Sequence, residues 1–212
     1  MFYDTRDNSR PLPHDPFKAI VAPRPIGWIT TISAAGQVNL APYSYFNGVL
    51  SRPNLVMFSS EGFKDSVRNI EETGEFVCSL ATWDLREAMN ATSAPVPHGI
   101  NEMDKAGLAP APSKLVKPPR VAESPINIEC TYYTTIVLPG HTMKTNHAMV
   151  IGRVVGVHIH DDYLTADGRI DVLKIRPLAR LGYADYTSVQ EIFPIVLADD
   201  ERGFRMRNLS GG

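Results

Sequence analysis

Residues 23–69 read PRPIGWITTISAAGQVNLAPYSYFNGVLSRPNLVMFSSEGFKDSVRN. Ile26 to Ser33 alternates Ile26, Trp28, Thr30 and Ile32 against Gly27, Ile29, Thr31 and Ser33, which is the two-residue period of a strand. β-branched residues dominate it, as the pleated backbone prefers. Ala34-Ala35-Gly36-Gln37 is a hairpin turn, with Gly36 free to take positive φ. The chain then returns as a second strand from Val38 to Leu50, in which Pro42 implies an edge or a bulge. Asn54 to Ser60 is a third strand, and Lys64 to Gly74 reads as a helix capped by Asp65 or Ser66 and ended by Gly74. Three strands edged with hydroxyls and amides, followed by a helix start that carries a lysine, make a flat slot beside an anion site.

On the N-terminal side, residues 1–22 are rich in Pro, Asp and Arg and read as an arm anchored by Phe17, Ile20 and Val21. On the other side, Glu75 to Ala81 is a fourth strand and Asp84 to Ser93 is helical. Residues 94–125 hold seven prolines, too many for regular structure throughout. We expect a lid or dimer arm there, with one short helix at Glu102 to Ala106. Ile126 to Leu138 alternates strictly, and Asn146 to His160 is a long strand with Gly152 and Gly156 as bends or close-approach points. Asp161 to Leu164 adds a helical turn, Leu178 to Tyr183 a last short strand, and 199–212 a polar tail. Many strands, few helices and tight turns predict a β-barrel with helical additions.

The 212 residues suit one domain spanning 1–212, with its core at about 15–190, the insertion at 94–125 and the tail at 199–212. A formal net charge of −2 gives no bulk attraction to nucleic acid or an anionic membrane, so neither is expected as a partner. No apolar run reaches the roughly 20 residues of a membrane span and the polar start has no signal-peptide core, so a cytoplasmic protein is expected. Cys78 and Cys130 fall in apolar strands and read as buried small side chains.

The motifs of several common chemistries are missing from the sequence: GxGxxG, a Walker loop, HExxH, GxSxG and CxxC. His158 and His160 share a strand face but have no evident third ligand, so they read as solvent-exposed and no metal site is expected. His14, His98 and His141 read as surface residues. Asp161-Asp162 and Asp199-Asp200 read as solvated turn residues rather than an acid–base pair. What remains is a set of hydroxyls and one amide on neighbouring strands: Thr30, Thr31, Ser44, Asn47, Ser59 and Ser60. Lys64 and Ser66 follow at a helix start. Strand hydroxyls can be purely structural, but a helix N-terminus with a lysine holds phosphate well.

These residues resemble a known family. Pro23 to Thr31, Asn39 to Asn47, Lys64 to Asn69, His147 with Val150 to Val154, and Pro177 to Tyr183 with Tyr186 are similar to successive segments of the flavin reductase-like, FMN-binding split-barrel proteins. That group includes flavoredoxins and the flavin reductase components of two-component monooxygenases. The resemblance implies a mainly β fold: a Greek-key split β-barrel of six or more antiparallel strands with a few peripheral helices and a long Pro-rich insertion. It implies a homodimer that binds FMN, with Thr30, Thr31, Asn47, Ser59, Ser60, Lys64, Asp65 and Ser66 around the ribityl chain and phosphate. Ser44, Tyr45, Phe46 and Asn47 would border the ring, with His147 and Tyr183 or Tyr186 near the ring or the nicotinamide. Relatives commonly carry Gly-Gly where this chain has Gly182-Tyr183, and a tyrosine there narrows the nicotinamide site. The implied activity is an NAD(P)H:flavin oxidoreductase, with His147 placing the nicotinamide, that supplies reduced flavin or electrons to a monooxygenase or redox partner. A flavoredoxin-like carrier without its own NAD(P)H turnover, or a binding module for another ligand, are the rival readings.

Overall fold

The computed structural model describes residues 1–6, 11–94, 100–140 and 146–195. In chain order these form α1 (Phe17–Ile20), β1 (Arg24–Pro25), β2 (Gly27–Ile32), β3 (Val38–Tyr43), β4 (Phe46–Ser51), β5 (Asn54–Ser60) and α2 (Asp65–Thr73). There follow β6 (Glu75–Leu80), α3 (Arg86–Ala91), α4 (Glu102–Ala106), β7 (Pro110–Ala111), β8 (Arg120–Val121) and the long pair β9 (Ile126–Leu138) and β10 (His147–Ile159). A 3-10 turn at Asp161–Tyr163, then α5 (Val172–Ile175), β11 (Leu178–Gly182) and β12 (Asp185–Ser188), completes the described chain. His98, His141, Asp199-Asp200 and the 199–212 tail lie outside the described residues.

One antiparallel sheet of seven strands runs β3-β2-β6-β9-β10-β5-β4. Its two edges, β3 and β4, are consecutive in the chain and joined only by Ser44 and Tyr45. A link of two residues reaches roughly 10 Å at most, so the sheet must curl until its edges nearly meet. The result is an open, split barrel. The expected single strand from Val38 to Leu50 is therefore two strands on opposite edges, and Pro42 lies on an edge as its missing N–H requires.

Curling is helped by register shifts at Ile151/Gly152 and Val154/Gly156. Gly152 is a true close approach, because a Cβ there would lie 2.2 Å from Cζ of Phe76. Gly27 plays the same part for β4, where a Cβ would lie 2.5 Å from Cδ2 of Phe46. Inside the barrel Ile29, Phe58, Phe76, Cys78, Cys130 and Val150 pack together, and α2 closes one end with Val67 and Ile70. Both cysteines are free and buried. Burial beside Cys130 pushes the Cys78 thiol well up from its ordinary range.

A second core lies outside the barrel. Trp28 and Leu40 project outward from β2 and β3 against Met89 of α3, Met103 of α4, Val121 and Leu178. β2 is thus buried on both faces, and Trp28 Nε1 donates to Thr92 Oγ1 at 2.8 Å. The Pro-rich insertion, expected as a lid or dimer arm, is over residues 102–124 a packed cover for this outer face. Its helix α4 occupies the expected Glu102 to Ala106. The upstream helix is shorter than Asp84 to Ser93, spanning Arg86–Ala91.

Glu129 fastens that cover. Its position in an alternating strand reads as solvent-facing, yet it is fully buried. Its carboxylate accepts N–H bonds from Lys114 (2.7 Å), Leu115 (2.6 Å) and Val116 (3.1 Å), and meets Nε2 of His158. His158 is accordingly mostly covered, not exposed as its spacing with His160 suggested. Desolvation raises the Glu129 pKa, but His158 and the three amides outweigh it and hold the carboxyl below its usual range.

The arm also departs from expectation. Phe17, Ile20 and Val21 are exposed rather than anchoring. What holds α1 is backbone contact: Ala19 Cα lies 2.7 Å from where Gly182 would carry a Cβ.

Replacing Glu129 by Ala should destabilise the fold by about 3 kcal/mol, because three amides and a histidine lose their acceptor together. A folded-state pKa below the unfolded value of roughly 4.3 contributes stability at neutral pH that is lost as pH falls through the folded value. Urea unfolding of wild type and Glu129→Ala at pH 7 and pH 3.5 should therefore show the difference shrinking at the lower pH. A constant difference would contradict this account.

Candidate functional site

The seam between the two sheet edges opens into a cleft of about 610 Å³. This lies within the roughly 300–1,000 Å³ of small-molecule sites. Its floor is the inward face of β3, with Asn39, Ala41 and Tyr43 at alternate positions, and the Ser44–Tyr45 link. Ser59 and Glu61 from the end of β5, and Lys64, Asp65 and Ser66 from the start of α2, form one wall. Thr92 and Ser93 after α3, with Ala94 and Glu102 of the insertion, form the other, and Lys18 of the arm stands at the mouth.

Helix α2 begins differently from its sequence reading. Lys64 occupies the N-cap position with extended backbone (φ −76°, ψ 175°), and no side-chain hydrogen bond caps the helix. Asp65 and Ser66 lie inside the first turn. No side chain caps the leading N–H groups of the helix, which lie at the positive end of its dipole. Gly74 ends the helix in the left-handed conformation (φ 76°), as expected. Asn39 Nδ2 donates to Ser66 Oγ at 3.0 Å, and Asn69 Nδ2 donates to Thr31 Oγ1 at 3.0 Å. These two bonds fix the helix on β2 and β3 and so fix the direction of its N-terminus.

The charges around the cleft are largely paired. Lys18 Nζ lies 3.6 Å from Glu61, and Arg68 lies 3.2 Å from Asp65. Lys64 has no acidic partner among the described residues. Glu102, buried in the far wall, accepts the edge N–H of Leu40 at 2.9 Å. Burial pushes its carboxyl up, more than the Leu40 amide pulls it down, and Asp65 adds to the rise. Burial likewise raises the Tyr43 phenol, against hydrogen bonds with Ser66 and Ser60.

Of the residues singled out from sequence, Ser44, Tyr45, Ser59, Lys64, Asp65 and Ser66 come together around the cleft. Thr30 and Thr31 of β2 are not among the lining residues, and Thr31 Oγ1 is taken by Asn69 instead. Phe46 turns inward against the core. Asn47 is exposed and its Oδ1 accepts the Gly48 N–H at 2.8 Å. Ser60 is buried behind the cleft and donates to Gly62 O at 2.8 Å. His147 Nδ1 accepts the Gly62 N–H at 3.0 Å, so it steadies the loop after Glu61 without lining the space. Tyr186 of β12 and Tyr183, in the turn between β11 and β12, go with a separate three-stranded sheet, β1-β11-β12, and neither lines the cleft. Tyr183 takes positive φ (48°) beside His14, and Tyr186 stacks under Arg180 at 4.5 Å.

Asn39 and Tyr43 were legible as one face of an alternating strand. Lys18, Thr92, Ser93 and Glu102 were not, because only tertiary packing carries them there. Among the described residues, no three His, Cys, Asp or Glu side chains group to hold a metal ion. No described helix is long and apolar enough to cross a membrane.

An antiparallel sheet rolled into an open, split barrel defines a class of fold, and comparison with known proteins agrees. The flavin reductase like domain profile matches residues 21–181. The chain belongs to the flavin reductase-like family. An uncharacterised protein of Halalkalibacterium halodurans is 39% identical over 180 residues, 82% of this chain and 86% of that one. An uncharacterised protein of Aquifex aeolicus is 36% identical over 168 residues, 77% of this chain and 83% of that one. Among solved structures, nitrilotriacetate monooxygenase component B from Bacillus cereus superposes with a TM-score of 0.83 at 31% identity, covering 92% of this chain and 99% of that one. Flavoredoxin of Desulfovibrio vulgaris gives a TM-score of 0.75 at 20% identity over 93% of this chain and 98% of that one, a likeness of fold.

Glu102→Gln offers a check on the cleft electrostatics. A carboxyl whose folded pKa lies above the unfolded value of roughly 4.3 costs the fold stability as pH rises through the folded value. The amide keeps an acceptor for Leu40 without that cost. The stability of Glu102→Gln relative to wild type should be greater at pH 8 than at pH 4, read from thermal unfolding. The opposite trend would mean that the carboxylate is favoured in its wall.

Proposed function

We propose that this protein binds FMN in the seam cleft and works as an NAD(P)H:flavin oxidoreductase that hands reduced flavin or electrons to a monooxygenase or other redox partner. One observation carries the reading: the N-terminus of α2 faces the cleft with no side chain capping it, and Lys64 beside it has no acidic partner among the described residues. That is the arrangement for a phosphate monoester, in which free N–H groups and a point charge converge. The fit extends outward. Ser44, Ser59, Ser66 and Asn39 offer hydroxyls and an amide for a polyol chain, and Tyr45 offers an aromatic wall for a ring.

When bound, the flavin supplies the hydride and electron chemistry. The chain's own residues bind and orient it. Lys64 and the first turn of α2 hold the phosphate, the Ser44–Tyr45 link borders the ring, and His147 keeps the Gly62 loop in place behind the cleft. No general acid or base is required of the protein, in keeping with a cleft whose carboxylates are engaged in ion pairs or backbone bonds. The likeness at 31% identity to a monooxygenase component of Bacillus cereus supports the reductase reading over a carrier. A cytoplasmic setting, where NAD(P)H is at hand, suits it.

We also propose a homodimer. Val155, Val157 and Ile159 of β10 and Tyr133 and Val137 of β9 leave apolar surface in solvent, which a second copy would cover. Val137→Asp should shift the elution of the protein toward the monomer, and a wild type that sediments as a monomer would remove the proposal.

Lys64→Ala should weaken FMN by about 1–3 kcal/mol, the worth of a charge-assisted hydrogen bond, measured by quenching of flavin fluorescence. An unchanged dissociation constant would move the phosphate elsewhere. Anaerobic mixing of the FMN-loaded protein with NADH and NADPH should bleach the flavin absorbance with at least one of them. Bleaching with neither would leave a carrier reduced by another protein.

A further inference from the structure

Arg24 places a positive charge inside the protein with no carboxylate paired to it among the described residues. The residue is 6% exposed. Its NH1 group donates to the carbonyls of Lys18 and Val21 at the end of α1. Its Nε is buried without a partner, and no carboxylate among the described residues pairs with it. Glu61 and Asp65, the nearby acids of the cleft, are engaged with Lys18 and Arg68. The residue opposite Arg24 across the β1–β11 pair is Arg180, a second cation. A guanidinium keeps its charge throughout the physiological range, and a buried charge left unbalanced is costly to the fold.

Anchoring the arm does not explain that cost. Two backbone carbonyls ask for donors, not for net charge, and a neutral amide could serve them. The remaining contact of Arg24 points to the site: its guanidinium carbon lies 5.3 Å from the centroid of the Tyr45 ring. Tyr45 lines the cleft. The cation is therefore one aromatic ring behind the cleft wall, shielded from water, where screening is weak.

We propose that Arg24 is the charge-balancing group of the cleft, stabilising the negative charge that a ring ligand gains on reduction. The inference rests on the flavin reading above. Transfer of hydride from a dihydronicotinamide breaks a C–H bond of the donor and forms an N–H bond on the ring. The donor leaves as a pyridinium cation, and the neutral ring acquires one negative charge. Across Tyr45, Arg24 then faces a negative ring in the reduced complex and a neutral one in the oxidised complex, so it tilts the equilibrium toward reduction. It acts through the cleft wall and is a positioning and electrostatic residue.

The test compares wild type, Arg24→Lys and Arg24→Met, each loaded with FMN. The midpoint potential is measured by anaerobic equilibration with a reference dye, alongside the affinity for oxidised FMN. Arg24→Met should lose at least tenfold in preference for reduced flavin, about 30 mV for a two-electron couple, with affinity for oxidised FMN little changed. Arg24→Lys, which keeps the charge, should retain most of the wild-type potential. Equal potentials in all three proteins would overturn the proposal, as would equal losses in both variants, which would mark Arg24 as an arm anchor alone. Should Arg24→Met not fold, wild type decides with 8-hydroxy-FMN as probe: its ring hydroxyl must ionise more readily bound than free, and the reverse overturns the proposal. A wild type that binds no FMN defeats the flavin reading itself. A wild type that binds FMN with a potential indifferent to residue 24 defeats only this inference.

Discussion

Two residues, Ser44 and Tyr45, join strands that lie on opposite edges of a seven-stranded sheet. The rest of the molecule answers to that short tether. A flat sheet of seven strands spaced about 4.8 Å apart would put its edges roughly 29 Å from each other, far beyond the reach of the link. The sheet has to roll up. The close approaches at Gly152 and Gly27 and the register shifts along β10 are where it bends to do so. The roll stops short of closure, since β3 and β4 are not hydrogen-bonded to each other. The unpaired edge that remains is a liability for a strand. Here it becomes a wall of the cleft, with Pro42 removing one N–H and Glu102 satisfying another.

The same seam explains why the insertion exists as a packed element. Rolling the sheet leaves β2 and β3 with an apolar outer face, centred on Trp28 and Leu40, that would otherwise meet water. Helices α3 and α4 cover it and, in doing so, bring Thr92, Ser93 and Glu102 to the cleft. Glu129 holds the downstream part of the cover with three backbone amides. Core packing and site construction are thus one event: the residues that bury Trp28 also build the far wall.

How far this was legible in the sequence depended on how local each signal is. β2, β5, α4 and the Gly74 stop of α2 follow from alternation, an Asn101 cap and a glycine at the C-terminus of a helix, all readable within a few residues. The break at Ser44–Tyr45 was not readable. No glycine or proline marks it, and β-favouring aromatics run straight through it from Tyr43 to Phe46. Glu129 sits at the polar phase of a strictly alternating strand, and only the loop folded over it turns that face into an interior. Thr30 and Thr31 were named around the slot because strand hydroxyls look alike in sequence; the bond from Asn69 to Thr31 is a tertiary contact that no local signal carries. Six of the residues named around the slot do meet there, because they flank the link and the helix start, where chain proximity alone brings them together.

Charge placement follows the same division between local and global causes. Lys64 is available to an anion because its own helix begins there without a side-chain cap, a local fact. Arg24 is available for a different reason: it is buried where the arm, the small sheet and the Tyr45 wall converge, a meeting no short stretch encodes. One cation stands at the end of the cleft nearest α2 and the other behind its aromatic wall. A ligand with a fixed negative group and a ring that turns negative only on reduction would meet both. The first interaction is the same in either redox state and so sets affinity. The second differs between the states and so sets potential. The split barrel offers separate places for those two effects, one at the start of α2 and one behind Tyr45.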